Sequence, residues 1–483
     1  MPIIPQVLDY RDELAAIRRD IHAHPELAFA EQRTAGLVAG KLAEFGCEVY
    51  RGLAGTGVIG TIRRGNTPAA IGLRADMDAL PIPELNDFAH RSTHDGRMHA
   101  CGHDGHTTML LGAAKYLAAT RNFEGTVHLI FQPAEEGGGG GRVMVEEGLF
   151  DKFPCDAVFA IHNKPGIEVG EIAAKPGPLL AASDRWDIRV KGRGTHAAHP
   201  HLGTDPFVIG AQIVLALQTI GSRNIDPLDS AVVSVGFMRG GSTYNVIPDE
   251  LHIGGTSRSF RPEVRALIER RVGEIARGVA ALHRASAEAD YRRNYPPTVN
   301  HAAETEFAAE VAAEICGADR VIRDIVPSMG GEDFSFMLNA RPGAMLWLGN
   351  GPGEDGCFLH NACYDFNDEA LTIGVSFSRG SPNGFLKEAS AKAYAAPRPR
   401  RRRAKVRCGR SIILPSRASV PASGFSAKTD TTLRAQTSSS SVTEKASLIT
   451  AICAGWMAIL AVKPDRRAAV HSAASPFSSR KSV

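Results

Sequence analysis

Apolar residues return at helical spacing twice near the N-terminus, as Val7, Leu8, Leu14, Ile17 and Ile21, then as Leu37, Val38, Leu42 and Phe45 before Gly46. Two opening helices are predicted. Short unbroken apolar runs follow at residues 70–73, 127–131 and 157–161, with a helical segment at 106–119 among them. That alternation predicts an α/β sheet with crossover helices. Histidines and acidic residues stand just past these strands, where open α/β sheets place their ligands.

The texture changes near Asp184. Strand-like segments at 186–190, 231–237 and 250–256 alternate with helical ones at 205–220 and 262–286. In the last of these, Val264, Leu267, Ile268, Val272, Ile275, Val279 and Leu282 form one apolar stripe. The pattern predicts a smaller α+β domain inserted at 184–296 between two parts of an α/β domain, 1–183 and 297–378. After Tyr295-Pro296-Pro297 the larger domain resumes with a helix at 303–315, a Gly-rich SMGGEDFSFM stretch, a strand at 344–348 and a final helix capped by Asn367 or Asp368. Arg379-Gly380-Ser381-Pro382 predicts an abrupt stop to that helix.

Composition and charge sharpen this outline. With 483 residues, 43% of them hydrophobic and 22% charged, the chain holds sizeable cores and is neither fibrous nor disordered as a whole. The net charge of +3 conceals an asymmetry: residues 379–483 carry 20 Lys+Arg against 4 Asp+Glu, leaving 35 basic and 48 acidic residues before them. Residues 379–483, which include RPRRRRAK at 398–405, are therefore expected as a basic low-complexity tail, disordered or the product of a reading-frame change near Ser378. Arginines there would bind polyanions non-specifically, while the acidic body has no nucleic-acid footprint. An apolar run at 446–462 stands at the short limit for a membrane span, and a membrane is not the expected partner. Eight scattered cysteines without a CxxC pair, and a start without a basic, apolar leader, predict a reduced cytoplasmic protein.

Two glycine-rich stretches carry little. Residues 55–60 match a dinucleotide fingerprint but read as a turn into a strand, and residues 137–141 lack the Lys-Ser/Thr pair of a phosphate loop. The strong signal is MHACGHDGH at 98–106, a thiol, three imidazoles and a carboxylate in nine positions. Cys101 and His103 can both turn towards one ion, and thiolate with imidazole suits zinc-like transition metals rather than calcium. Glu135 and Glu136 follow an apolar strand, and adjacent carboxylates point differently, so that one can ligate while the other serves as general base. His162 and His360 are further candidates from separate parts of the chain.

LRADMDALPI at 73–82, MHACGHDGH at 98–106, FQPAEEGGGG at 131–140, GTHAAHPHLGTDP at 194–206, YNVIPDE at 244–250, MGGEDF at 329–334 and CFLHN at 357–361 occur together and in order. Over residues 6–378 the chain resembles the zinc aminoacylase/carboxypeptidase family of metallo-amidohydrolases, in its hippurate hydrolase and auxin-conjugate hydrolase branch. The resemblance implies a catalytic α/β domain with a central mixed sheet flanked by helices, plus an inserted α+β lid and dimerisation domain. It implies two divalent ions per subunit (Zn, Mn, Co or Ni), held by Cys101, His103, Glu136, His162 and His360, with Cys101 bridging.

In the implied mechanism a water shared by the two ions gives its proton to Glu135 and attacks the amide carbonyl of an N-acyl amino acid. Asp78 would support the ligands, His196 would stabilise the oxyanion across a homodimer or dimer-based tetramer, and Asn245 and Arg258 would hold the substrate's free carboxylate. A planar guanidinium meets a carboxylate bidentately, which suits Arg258 to that task. Dipeptidase or carboxypeptidase activity on the same scaffold is the near alternative, and a non-catalytic metal- or peptide-binding protein the distant one.

Overall fold

A computed structural model describes residues 5–353 and 357–395. The predicted opening helices are present as α2 (Arg11–Ala23) and α3 (Gln32–Glu44), behind a single turn α1 (Pro5–Leu8). Their apolar stripes are buried: Leu14, Ile17, Ile21, Val38 and Leu42 join one core. The chain then enters the sheet through β1 (Glu48–Leu53), β2 (Gly57–Arg64) and β3 (Ala70–Asp76). Helix α4 (His103–Thr120) leads to β4 (Gly125–Gln132), and the short α5 (Gly140–Glu146) and α6 (Leu149–Lys152) lead to β5 (Ala157–Lys164) and β6 (Ile172–Ala173).

A smaller layer follows the hairpin strand β7 (Gly177–Leu180). Its elements are β8 (Ala182–Lys191), β9 (Thr195–His196), α7 (Pro206–Leu217), β10 (Ala231–Gly240), β11 (Val246–Ile247), β12 (Glu250–Ser259), α8 (Pro262–Leu282) and β13 (Ser286–Tyr295). The main layer resumes with β14 (Thr298–Asn300), α9 (Ala302–Cys316), β15 (Val321–Ile322), α10 (Phe334–Ala340), β16 (Gly343–Gly349) and α11 (Glu369–Ala395).

The main sheet is mixed, in the order β1-β2-β4-β3-β5-β16-β6-β15. Its centre, β4-β3-β5-β16, is parallel throughout. These strands are buried on both faces, which is why they read as unbroken apolar runs rather than alternating ones. One face packs α2, α3, α4, α9 and α11, and the other packs α5 and α10. The smaller sheet, β10-β12-β8-β13, is antiparallel. It is covered on one face by α7 and α8, where Trp186, Ile188, Ile213, Ile253, Ile268 and Val272 form a separate core.

The extent of α8 and the strand β13 differ from expectation. The pattern predicts one helix to residue 286, but α8 stops at Leu282 and β13 runs from Ser286. The inward positions of β13 include Ala287 and Ala289, too small to make a strand period stand out.

The predicted stop at residues 379–382 is overturned. Helix α11 passes through Pro382 to Ala395, so the boundary expected at Ser378 falls inside a helix. Packing outweighs the breakers. A Cβ on Gly380 would stand 2.7 Å from Val311 Cγ1 and one on Gly384 2.7 Å from Phe307, so the two glycines, one turn apart, let α11 lie close against α9. Ser381 and Leu386 are buried beyond the expected stop. Residues 396–483, with the arginine run and the apolar stretch at 446–462, lie outside the described residues. Among the described residues no helix is long and apolar enough to cross a membrane, and Cys47, Cys101, Cys155, Cys316 and Cys363 are free thiols.

Candidate active site

The site forms beyond the C-terminal ends of the parallel strands, where each strand delivers a polar residue as it leaves the core. β3 ends in Asp76 and continues to Asp78; β4 leads through Pro133 to Glu135 and Glu136; β5 carries His162. The fourth contribution is the segment of Cys101 before α4. Gly102 joins Cys101 to the helix with φ 89°, and a Cβ there would lie 2.5 Å from Asn163 Oδ1. Only glycine accepts both constraints.

All five expected ligands converge. Donor atoms of Cys101, Glu136 and His360 lie within 4.8 Å of one another, as do those of His103, Glu135 and Glu136. Cys101 Sγ is also 3.6 Å from His162 Nε2, so the thiol stands between the Glu136–His360 side and the His162 side. His360 Nε2 is 3.2 Å from Glu136 Oε1. His360 adopts φ 67°, a left-handed conformation rare for a residue with a Cβ, and its N–H donates to Ala100 O at 2.7 Å, tying its loop to the Cys101 segment.

Neighbouring acceptors orient the imidazoles. His103 Nδ1 donates to Asp78 O at 2.9 Å and His162 Nδ1 to Asn163 O at 2.7 Å, which leaves both Nε2 atoms as lone-pair donors directed into the site. His103 Nε2 is fully buried without a hydrogen-bond partner, a state that a buried polar atom rarely tolerates unless a ligand belongs there. Asp78 does more than support one histidine: its carboxylate accepts the N–H groups of Glu135 at 3.0 Å and Glu136 at 2.9 Å.

The two adjacent glutamates are driven apart. Burial, with the charges of Glu332, Glu136 and Asp333, raises Glu135 well above the usual carboxylate range. Burial acts on Glu136 too, but the hydrogen bond from His360 and the charge of His103 outweigh it and lower its pKa. The two shifts run in opposite directions, Glu136 towards the ionised form a ligand needs and Glu135 towards a stronger proton acceptor. Burial also raises the Cys101 thiol far above its ordinary value, as does Glu136, so a thiolate there calls for a cation beside it.

Cys101, Glu135, Glu136, His162 and His360 line a pocket of about 320 Å³. Its lining also includes Arg258, Arg185, Lys164, Asn294 and Trp347, so cationic side chains share the pocket with acidic and sulfur-bearing ones. Arg258 donates to Ser257 O at 3.0 Å and to Thr256 Oγ1. His196 and Asn245 are not in this pocket. They neighbour each other on the exposed β9–β11 ribbon, where His196 pairs with Val246 and Asn245 O accepts the Ala197 N–H.

Some participants escaped the motif reading. Buried Arg74 of β3 donates to Gln132, Asp76, Glu332 and Asp333, at 2.8 to 3.1 Å. His106 is taken up by Asp76 Oδ1 at 2.6 Å and by the Asn163 N–H at 3.0 Å, and so braces the floor. Tyr295 donates to Glu135 O. The motifs LRADMD and MGGEDF contain Arg74, Asp76, Glu332 and Asp333, but only the fold brings them together; for Tyr295 the one signal was its place before two prolines.

Known proteins are similar to this chain. The chain is 44% identical over 377 residues to the hippurate hydrolase of Campylobacter jejuni, covering 78% of this chain and 97% of that protein. It is 38% identical over 390 residues to IAA-amino acid hydrolase ILR1-like 4 of Arabidopsis thaliana, covering 79% and 88%. The solved structure of the YXEP protein of Bacillus subtilis, described as a dinuclear metal binding peptidase from the M20 family, superposes with a TM-score of 0.69 at 34% identity over 79% of this chain and 99% of that one. The model of peptidase family M20/M25/M40 matches residues 72–380. A match of that extent, reaching from β3 through the site into α11, shows that the chain belongs to peptidase family M20/M25/M40 and is a metal-dependent amidohydrolase of the hippurate and auxin-conjugate branch.

Proposed function

We propose that the protein cleaves N-acyl amino acids of the hippurate type to a carboxylic acid and a free amino acid. The observation that carries this reading is the opposed tuning of Glu135 and Glu136, since a protein that only bound metal or peptide would have no use for a proton acceptor beside a ligand. Cys101, His103, Glu136, His162 and His360 would hold two divalent cations, with the Cys101 thiol standing between the Glu136–His360 side and the His162 side. The donor set fits: one thiol, three imidazoles of which two have their second nitrogen already engaged, and an ionised carboxylate. Zn, Mn, Co and Ni all suit such donors. When bound, these ions supply Lewis-acid polarisation of the amide carbonyl and acidify the attacking water.

The chain's own groups do the rest. Glu135 takes the proton of the attacking water at its carboxylate and returns it to the amide nitrogen as the C–N bond breaks, so the acid and the amine leave with one water consumed. Asp78 fixes the turn on which Glu135 and Glu136 ride. Arg258, on the far wall, takes the substrate's free carboxylate. His196 and Asn245 stand outside this chain's pocket, and we assign them to the site of a second copy in a homodimer, with His196 donating to the oxyanion. Scattered cysteines without a CxxC pair support a cytoplasmic setting for this chemistry.

The test is release of glycine from N-benzoylglycine by protein loaded in turn with Zn, Mn, Co or Ni. Activity confined to dipeptides would replace this reading with a dipeptidase, and loss of metal binding without loss of turnover would end it.

A further inference from the structure

Residues 134–140 form a turn that needs holding. Ala134, Gly137 and Gly139 all have positive φ, at 56°, 81° and 71°, and backbone of this kind persists only where its surroundings over-determine it. Four side chains grip it. Glu31 accepts the Ala134 N–H at 2.9 Å, Asp78 accepts those of Glu135 and Glu136, and Asp333 accepts that of Gly141 at 2.8 Å. The fourth is Tyr295, whose hydroxyl donates to Glu135 O at 2.5 Å and accepts the Gly139 N–H at 3.0 Å. Glu31, Asp78 and Asp333 belong to the main layer, whereas Tyr295 is the last residue of β13 in the smaller sheet.

Tyr295 is itself tied into that sheet. Its carbonyl accepts Arg265 Nη2 of α8 at 3.2 Å. Arg265 is paired with buried Asp184 near the start of β8, and Asp184 also accepts Tyr291 Oη at 2.8 Å and the Asn294 N–H at 3.0 Å. Both chain crossings between the layers, at Asp184 and at Tyr295, thus meet in one network that ends on the carbonyl of Glu135. The hydroxyl is buried, and burial keeps it protonated, so it remains a donor at any working pH.

We propose that Tyr295 is a positioning residue for Glu135, its hydroxyl clasping the turn that carries the general base to the strand through which the smaller layer returns to the main one. This rests on Glu135 being the base. Because the clasp holds the backbone of Glu135 rather than the substrate, its loss acts on the chemical step and leaves substrate and metal binding in place.

The test is Tyr295→Phe in the full-length, metal-loaded enzyme, with Tyr291→Phe as the comparison, since Tyr291 lies on the same strand and bonds Asp184 without touching the turn. Losing two hydrogen bonds at a site of this kind lowers kcat about ten-fold, and we expect KM within two-fold of wild type, two bound metals, and little effect from Tyr291→Phe on kcat. An unchanged kcat in Tyr295→Phe overturns the proposal. So does an equal loss in Tyr291→Phe, which reduces the role to general support of the smaller layer, or a loss that follows metal content. If Tyr295→Phe does not fold, Tyr295→His, which keeps a ring and a polar donor, must restore more turnover than Tyr295→Leu; equal activities reject the clasp. Wild type without turnover on any N-acyl amino acid would refute the assigned reaction rather than the clasp.

Discussion

Two buried polar clusters flank the start of α4, and their carboxylates are treated in opposite ways. On one side Arg18, His22 and Asp104, each almost wholly buried, interlock with Glu84, Asp365 and Asp368. On the other, Glu135, Glu332 and Asp333 crowd within 4.8 Å of one another, with Arg74 as the guanidinium among them. Burial disfavours charge in both places. Around Asp104 it is outweighed by His22 and Arg18, and the carboxyl falls below its ordinary range. Around Glu135 burial and neighbouring carboxylates act together, and Asp333 is likewise raised, to about 7, with Arg74 opposing the shift. In the first cluster the groups sealed from water balance, Arg18 and His22 against Asp104 and Glu84, while Asp365 and Asp368 reach solvent; it ties α2 and α4 to the segment that enters α11. In the second, three sealed carboxylates share one guanidinium, which is the condition expected where cations bind and a proton is exchanged.

The difference is largest at Glu135. Glu135→Gln keeps the shape and removes the proton acceptor, so kcat should fall by about 10³ to 10⁴, while metal content by elemental analysis and the melting temperature stay near wild type. A Gln variant that turned over normally would show that the raised carboxylate is structural, like its counterparts across α4. Next in size is Arg18→Met. Removing one partner of a buried ion network leaves the others uncompensated, at a cost of about 3 to 5 kcal/mol. The measurement is denaturant unfolding, and the expectation is a large loss of stability with kcat per folded, metal-loaded molecule preserved.

Between these in kind is a pH effect. Burial lowers the pKa of His22, but its hydrogen bonds and charge contacts with Asp104 and Glu84 win and raise it to about 9. A group whose pKa is higher folded than unfolded stabilises the fold fully below its unfolded value near 6.5, and that contribution disappears as pH rises through 9. The shift corresponds to about 3 kcal/mol. Melting temperature should therefore fall between pH 7 and pH 10, and His22→Gln should flatten that slope. A wild-type slope retained in the variant would mean that the network does not hold a charged imidazole.

The two clusters were not equally legible in the sequence. The metal-binding side declared itself because its residues are crowded along the chain, as Cys101 and His103 or Glu135 and Glu136, and because apolar strands lead into them. The Arg18 side was invisible: Arg18 and Asp368 are 350 positions apart, and alone Arg18 reads as an ordinary polar residue on an amphipathic helix and Asp368 as a candidate helix cap. The layered α/β outline followed from uninterrupted apolar runs, which only strands buried on both faces require. What failed was reading that turned on local propensity. Gly380 and Pro382 stop an isolated helix, yet α11 continues because α9 offers a surface that only a glycine-bearing face can approach. Strand β13 was missed because small inward residues leave no period.

The smallest expected effect probes the edge of the paired cluster. Asp365 bonds Arg18 Nη1 at 2.7 Å, a shorter contact than the 3.4 Å from the same atom to Asp104, yet its side chain is 34% exposed against 0% for Asp104. If distance alone set the contribution, Asp365→Asn would be the more damaging change. If burial sets it, water replaces the lost charge at Asp365 and the cost stays near or below 1 kcal/mol, whereas Asp104→Asn, which leaves Arg18 and His22 facing a neutral group in a dry interior, should approach the cost of Arg18→Met. Measuring both variants by denaturant unfolding at neutral pH separates the two accounts. Equal losses would show that the cluster shares its charge over all members, and the contrast with the site beyond α4 would then rest on total charge rather than on which carboxylates are sealed from water.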